Sequence, residues 1–330
     1  MSELEAVPPC RFVTVSIVCP TFGGREPVAS IRPGEPVRIR TADRFGEASD
    51  IVDDLPGALR QTRADPVVGP LFVVGAHPGD TLAVHLADLT PAAREGPTAA
   101  ASAFGPIVET AVGVPDSPWR AGRYAIDRRQ RAVRSGARAS RYQVDLSLAP
   151  MLGTVGVAPA AGQVLATNVA GMHGGNLDLG FLRAGATLFL QSNVEGALLA
   201  VGAGRARRGD RGIVQVPMEV LLLVDVIATQ TPWPRLETDT DLMSIGVADS
   251  LESAYHVGSD DLVRHVGELT GLRLLDAGRL VSRTAGVHVG NPGGGNHSVV
   301  VGIDKSVLGT AVAYNGAHTR LRAIAQAGTR

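Results

Sequence analysis

At 330 residues, 45% of them hydrophobic and 19% charged, the chain can bury a sizeable core without disulfide or metal staples and is too apolar to be disordered. Its 31 basic and 32 acidic groups leave a formal charge of −1, no field for holding a polyanion, which argues against a nucleic-acid partner. Forty glycines and 21 prolines argue against a coiled coil.

Cys10 and Cys19 lie in the first twenty residues with no basic start and apolar h-region before them, so a cytoplasmic protein is expected. The longest apolar run, Val216 to Ile227, carries Glu219 and Asp225 and falls short of the roughly 18 residues a membrane helix needs, so no membrane span is expected. Through residue 230, Gly and Pro cut the chain into short stretches rich in Val, Ile, Thr and Leu, the rhythm of an all-β chain. Val37–Thr41 after Pro33-Gly34 and Thr81–Leu86 after Pro78-Gly79-Asp80 read as half-buried strands. Thr187–Leu190 and Pro217–Ile227 are further strands, the second apolar enough for burial on both faces. Residues 91–141, rich in Ala and Gly with an arginine patch at Arg128, Arg129, Arg131, Arg134, Arg138 and Arg141, read as a long surface insertion. Beyond Pro232 and Pro234 the period changes. Asp249 is placed to cap a helix carrying Leu251, Ala254 and Tyr255 and then, after Gly258, Leu262, Val263 and Val266, and a second helix runs from Leu274 to Val281. Val287–Val289 and Val299–Val301 are strands around a turn at Asn291–Asn296. The division expected is a β-rich part at 1–230 and a small α+β part at 231–330.

Several chemistries can be set aside. There is no Gly-x-Ser-x-Gly elbow, Cys-x-x-Cys, His-Glu-x-x-His, Walker loop or dinucleotide fingerprint. A Ser-Lys or Cys-Glu-Lys mechanism would have to draw on Lys305, the only lysine. Two glycine-turn segments carry groups that bind metals or activate water. In Gly75–Asp80 (GAHPGD) a Pro-Gly turn brings His77 near Asp80, either as chemistry or as an ordinary hydrogen-bonded turn. In Gly171–Asp178 (GMHGGNLD) Gly174 and Gly175 let the backbone approach a ligand while His173, Asn176 and Asp178 offer nitrogen and oxygen donors.

Four ordered strings, Val68–Asp80 (VGPLFVVGAHPGD), Pro150–Pro159 (PMLGTVGVAP), His173–Asp178 (HGGNLD) and Val194–Gly202 (VEGALLAVG), together with weaker similarity at 33–45 and 244–305, resemble the acetamidase/formamidase family over most of the chain. The resemblance implies a mainly β fold, with jelly-roll or sandwich and barrel-like parts and a small α+β C-terminal portion, assembled as a homodimer or higher homo-oligomer. It implies hydrolysis of a small non-peptide amide to a carboxylate and ammonia, with a divalent metal, zinc or calcium, activating water and carboxylates moving protons. Carried onto this chain, the roles are catalytic for His77, Asp80, Glu195 and Asp210, substrate-binding for Gly174, Gly175, Asn176 and Arg205, and metal-ligating for His173 and Asp178.

The chain departs from the family after Gly202. The family continues in a pattern like Gly-Asp-x-His-x-x-x-Gly-Asp-Gly-Glu, whereas this chain reads GAGRARRGDRG from Gly202 to Gly212. Ala203 stands for the Asp, Arg205 for the His and Gly212 for the Glu, and Asp210 alone remains among the ionisable positions. A guanidinium in place of an imidazole repels a cation, so the loop is compatible with loss of the metal. Three readings follow. The first is an acetamidase/formamidase-like C–N hydrolase with an altered active-site loop. The second is a repurposed, non-hydrolytic cyclase, lyase or isomerase of specialised metabolism, with Arg205, Arg207, Arg208 and Arg211 holding an acidic small molecule. The third is a non-catalytic binding homologue.

Overall fold

A computed structural model describes residues 11–13, 18–42, 66–92, 95–99, 122–135, 145–208, 213–292 and 296–328. Mainly strands with a small helical C-terminal part, the fold has two large sheets. The first has nine strands in the order Arg11–Val13, Val37–Arg40, Met218–Ile227, Thr81–Pro91, Thr187–Gln191, Arg235–Glu237, Asp241–Ala248, His297–Asp304 and Gly286–Val289. Residues beyond 230 thus extend the same sheet that the earlier strands begin. The central spine of the second, twelve-stranded sheet is Ile213–Gln215, Leu199–Arg208, Met151–Gly156 and Gly174–Gly175.

The expected strands appear at their places, and side-chain alternation explains why the Pro217–Ile227 run is apolar throughout. Leu222 and Val224 face the core between the two sheets with Leu82, Val84, Leu188 and Leu190, packing against Leu152, Val155, Leu199 and Val201. Leu223, with Ala83 and Phe189, faces the opposite way into a second core under the helices. A strand with core on both faces has no solvent side to mark with polar residues.

Three helices cover that second core: α1 (Leu251–Thr270), α2 (Leu274–Thr284) and α3 (Ala317–Gly328). One expectation about α1 is corrected. Its cap is Ser250 rather than Asp249, the Ser250 side chain accepting from the Ser253 N–H at 3.0 Å. The helix runs on through Gly258 as expected, and the glycine serves packing: a Cβ on Gly246 of the underlying strand would fall 1.9 Å from Ala254 O and 2.5 Å from Gly258 N. The helix lies directly on the sheet through a Gly246–Gly258 contact.

Part of the 91–141 segment is described. Glu95–Ala99, Gly122–Asp127 and Ala132–Ser135, with Asp145–Ser147, continue the twelve-stranded sheet outward from Ile213–Gln215. Of its arginines, Arg134 pairs with Asp127 and Asp145, and Arg128 donates to Ala92 O, while Arg138 and Arg141 lie outside the described residues. Cys19 is a buried free thiol, raised in pKa by that burial, and Cys10 lies outside the described residues. No helix among the described residues is long and apolar enough to cross a membrane.

Candidate functional site

The residues singled out from the sequence fall into two clusters rather than one. In the first, the turn after Val67–Val73 meets the loop before Leu199–Arg208, the Gly196 N–H donating to Ala76 O at 2.8 Å. Gly196 has φ 71, and a Cβ there would sit 2.2 Å from the Phe72 ring, so only glycine lets the two turns close. Closure sets His77 Nδ1 3.0 Å from Glu195 Oε2, while the Asp80 carboxylate accepts the His77 backbone N–H at 2.9 Å. His77 and Glu195 are both well exposed. The hydrogen bond to Glu195 and its charge raise the His77 pKa above the ordinary histidine value of 6.5. In an NMR titration His77 is expected to change charge above pH 6.5, and Glu195→Gln to bring its midpoint down; a midpoint indifferent to that substitution would show the pair does not form.

The second cluster is buried and lies further along Leu199–Arg208. Arg205 is six residues beyond Leu199, about 20 Å in a strand, so it does not share a site with His77. Arg205 stands opposite Met151 on one neighbouring strand and opposite Gln215 on the other. Its guanidinium crosses Gly153, where a Cβ would lie 2.8 Å from Nε, and meets the Asp178 carboxylate, with Nη2 2.6 Å from Oδ1 and 2.7 Å from Oδ2. Asp178 is brought there by its own N–H bond to Gly153 O and by a left-handed backbone, φ 53. Arg205 is 4% exposed. Arg207 is occupied as well, donating to Ser147 O and Oγ at 2.6 Å. Asp210 and Arg211, and the side chain of Arg208, lie outside the described residues.

Ala203 adopts φ 53 inside this strand, between Gly202 and Gly204. A side-chain-bearing residue in that region costs about 1–3 kcal/mol and marks strain held by its surroundings, such as persists at functional sites.

Between the clusters sits His173, beside the Gly174–Gly175 strand that pairs with Val155–Gly156. Its ring packs edge-on against Phe22 with centroids 5.1 Å apart. Burial pushes its pKa down to about 4, so the imidazole is neutral at pH 7, and Nε2 has no hydrogen-bond partner among the described residues. Gly171 and Gly175 leave it room, their would-be Cβ atoms falling 3.0 and 2.9 Å from its nitrogens. The close approach expected of Gly174 and Gly175 is real, but it is to Val155 O, Val169 O and the His173 ring. Asn176 donates through Nδ2 to Asn168 O at 3.3 Å.

A divalent cation does not fit at Asp178, since the Arg205 charge already lies against both carboxylate oxygens. Among the described residues no three His, Cys, Asp or Glu side chains form a group able to hold a metal ion. The pairing of His173 with Asp178 as ligands is therefore not the arrangement found.

Sequence reading missed Gln215. Its signal was faint, a single polar side chain in the apolar run Ile213–Val216 just past the departing loop, and 97% of its surface is buried (3% exposed).

Comparison with known proteins now has a structure to rest on. The sequence model of the Acetamidase/Formamidase family matches residues 25–170. Among solved structures, an acetamidase from Bacillus halodurans is 27% identical, with a TM-score of 0.80 over 91% of this chain and 100% of that one. An acetamidase from Yersinia enterocolitica is 26% identical, with a TM-score of 0.80 over 93% and 95%. A predicted acetamidase/formamidase from Thermoanaerobacter tengcongensis, 23% identical with a TM-score of 0.77 over 92% and 98%, shares the fold. No curated protein matches the chain. The family match over residues 25–170 and the near-complete structural likeness to two acetamidases make this chain similar to the acetamidase/formamidase family over most of its length.

Proposed function

We propose that the chain hydrolyses the C–N bond of a small non-peptide amide, and that the altered loop does so with a guanidinium–carboxylate centre at Arg205 and Asp178. Support for the reaction class comes from the family and from the acetamidases it resembles. The observation that carries the site is the buried Arg205–Asp178 pair, which stands where the resemblance puts the family's ionisable loop. Arg205 polarises the amide carbonyl and stabilises the oxygen that becomes negative as water adds. Asp178 takes a proton from that water and returns one to the nitrogen, so that the C–N bond breaks to give a carboxylic acid and ammonia. Both groups are held before substrate arrives, and the buried setting strengthens their fields.

A second reading has its own observation. His77, held by Glu195 and raised in pKa, is an imidazolium–carboxylate pair able to pass a proton to a leaving amine, with Asp80 as the positioning residue. The non-hydrolytic reading on an acidic substrate loses support because Arg205 and Arg207 are already bonded within the protein. A cytoplasmic location and a homo-oligomeric state belong to the proposal; the edge strand Gly286–Val289, exposed at every residue, supports the latter.

Ammonia release from formamide and acetamide, measured with and without a chelator, tests the proposal. Turnover that survives chelation is expected, with His77→Ala retaining it and Asp178→Asn losing it. Loss in His77→Ala alone would move the chemistry to the exposed pair, and no release from any small amide would leave the chain a binding homologue.

A further inference from the structure

Gln215 and Arg205 are opposite one another on adjacent antiparallel strands, so their side chains rise from the same face with Cβ atoms about 4.5–5.5 Å apart. Both are almost wholly buried, at 3% and 4% exposure. Each carries a buried nitrogen with no hydrogen-bond partner among the described residues, Nε2 of Gln215 and Nε of Arg205. Two neighbouring donors left unsatisfied in a protein interior are costly, each about 1–3 kcal/mol. Such a cost persists where an acceptor joins the pair in the working state. Beside them, among the described residues, the Asp178 carboxylate pairs with the guanidinium.

From this we infer that Gln215 is a substrate-binding residue whose amide, together with Arg205 Nε–H, holds the carbonyl oxygen of a neutral primary amide, and that the site favours the amide over its carboxylate product. A carbonyl oxygen has two lone pairs and can accept from both donors at once. A carboxylate would bring a second negative charge beside Asp178, whose pairing cation among the described residues is Arg205. The product is thereby expelled by the same arrangement that binds the substrate. This inference rests on the reading of the chain as an amide hydrolase for its choice of ligand, but binding can be measured without turnover.

The test uses the full chain, acetamide and acetate as probes, and the variant Gln215→Leu. Ligand-observed NMR gives Kd for each probe, and thermal unfolding is followed in parallel. Acetamide is expected to bind at least tenfold more tightly than acetate to the parent protein and to weaken at least tenfold in Gln215→Leu, with KM for acetamide rising more than kcat falls. Because leucine removes an unsatisfied donor, the melting temperature of Gln215→Leu should be unchanged or higher, whereas a residue with a purely structural role would lower it. Acetamide affinity untouched by Gln215→Leu, acetate binding as tightly as acetamide, or a lowered melting temperature with unchanged binding overturns the inference. If acetamide binds in this pattern but is never hydrolysed, the hydrolase reading fails and the binding site stands.

Discussion

Asp178→Asn is expected to lower kcat for a small amide by at least about a hundredfold, the lower end of what a positioned acid–base group contributes. Asparagine keeps the shape and one acceptor oxygen but cannot take a proton from water. The same substitution strands the Arg205 charge, 4% exposed, without its counter-ion, and breaking one side of a buried pair costs about 3–5 kcal/mol. Lost activity could therefore reflect lost structure, and the double variant Asp178→Asn with Arg205→Gln separates the two. With both charges gone no buried ion is left unpaired, so the double variant should recover most of the stability while remaining inactive. Turnover by that variant at the parent rate would place the chemistry elsewhere.

The largest stability effect is expected at the polar assembly beneath α1. Arg235 donates through Nε and Nη2 to the two oxygens of Asp261 at 2.7 and 2.8 Å, and through Nη1 to His265 Nδ1 and the Tyr314 hydroxyl at 2.9 and 3.1 Å. Ser244 donates to Asp261 at 2.6 Å. Arg235, Asp261 and Ser244 are all at or below 3% exposure. Asp261→Ala removes the carboxylate that accepts from both Arg235 and Ser244 and should destabilise the fold by about 3–5 kcal/mol in chemical denaturation, with the twenty-residue α1 losing this tie to the sheet. A loss below about 1 kcal/mol would mean that water reaches the arginine.

Acid should lower the stability as well. Burial, and the Arg235 charge after it, holds the His265 pKa down at about 3, and burial holds His85 and His173 at about 4. Unfolded, each takes up a proton near 6.5. The unfolded chain therefore binds more protons than the native one between about pH 6.5 and 3–4. Their contribution is full above 6.5 and is lost progressively as pH falls through that window, which equilibrium unfolding at pH 7, 5.5 and 4.5 will show as falling stability.

Much of this architecture was readable from residue patterns. Thr81–Leu86, Thr187–Leu190 and the Pro217 run announced their strands by alternation or unbroken apolarity, and the four ordered strings carried the family. What pattern could not supply was company in space. Asp178 and Arg205 are 27 residues apart and become a pair because the Asp178 N–H bonds Gly153 O while the Arg205 guanidinium reaches across Gly153 from the neighbouring strand. His77 and Glu195 meet across 118 residues through a glycine that lets two turns close. His173 and Asp178, five positions apart, diverge because the chain turns left-handed at Gly174, Gly175 and Asp178 and sends the two side chains to different neighbours. The packing reason for a glycine at Gly258, inside a helix, lies on a strand twelve residues earlier, at Gly246.

The sheet with oil on both sides raises a question of alignment. In a one-sided sheet, sliding a strand by a single residue throws its apolar set into water, and that penalty locks the pairing. Met218–Ile227 and Thr187–Gln191 escape the penalty, since either face meets hydrocarbon. Their registration must be pinned by groups that tolerate no shift. Thr81 against Thr231 at 2.7 Å and Thr187 between His85 and His318 at 2.9 and 2.8 Å are such pins, working like dowels in a joint whose planks would otherwise slide.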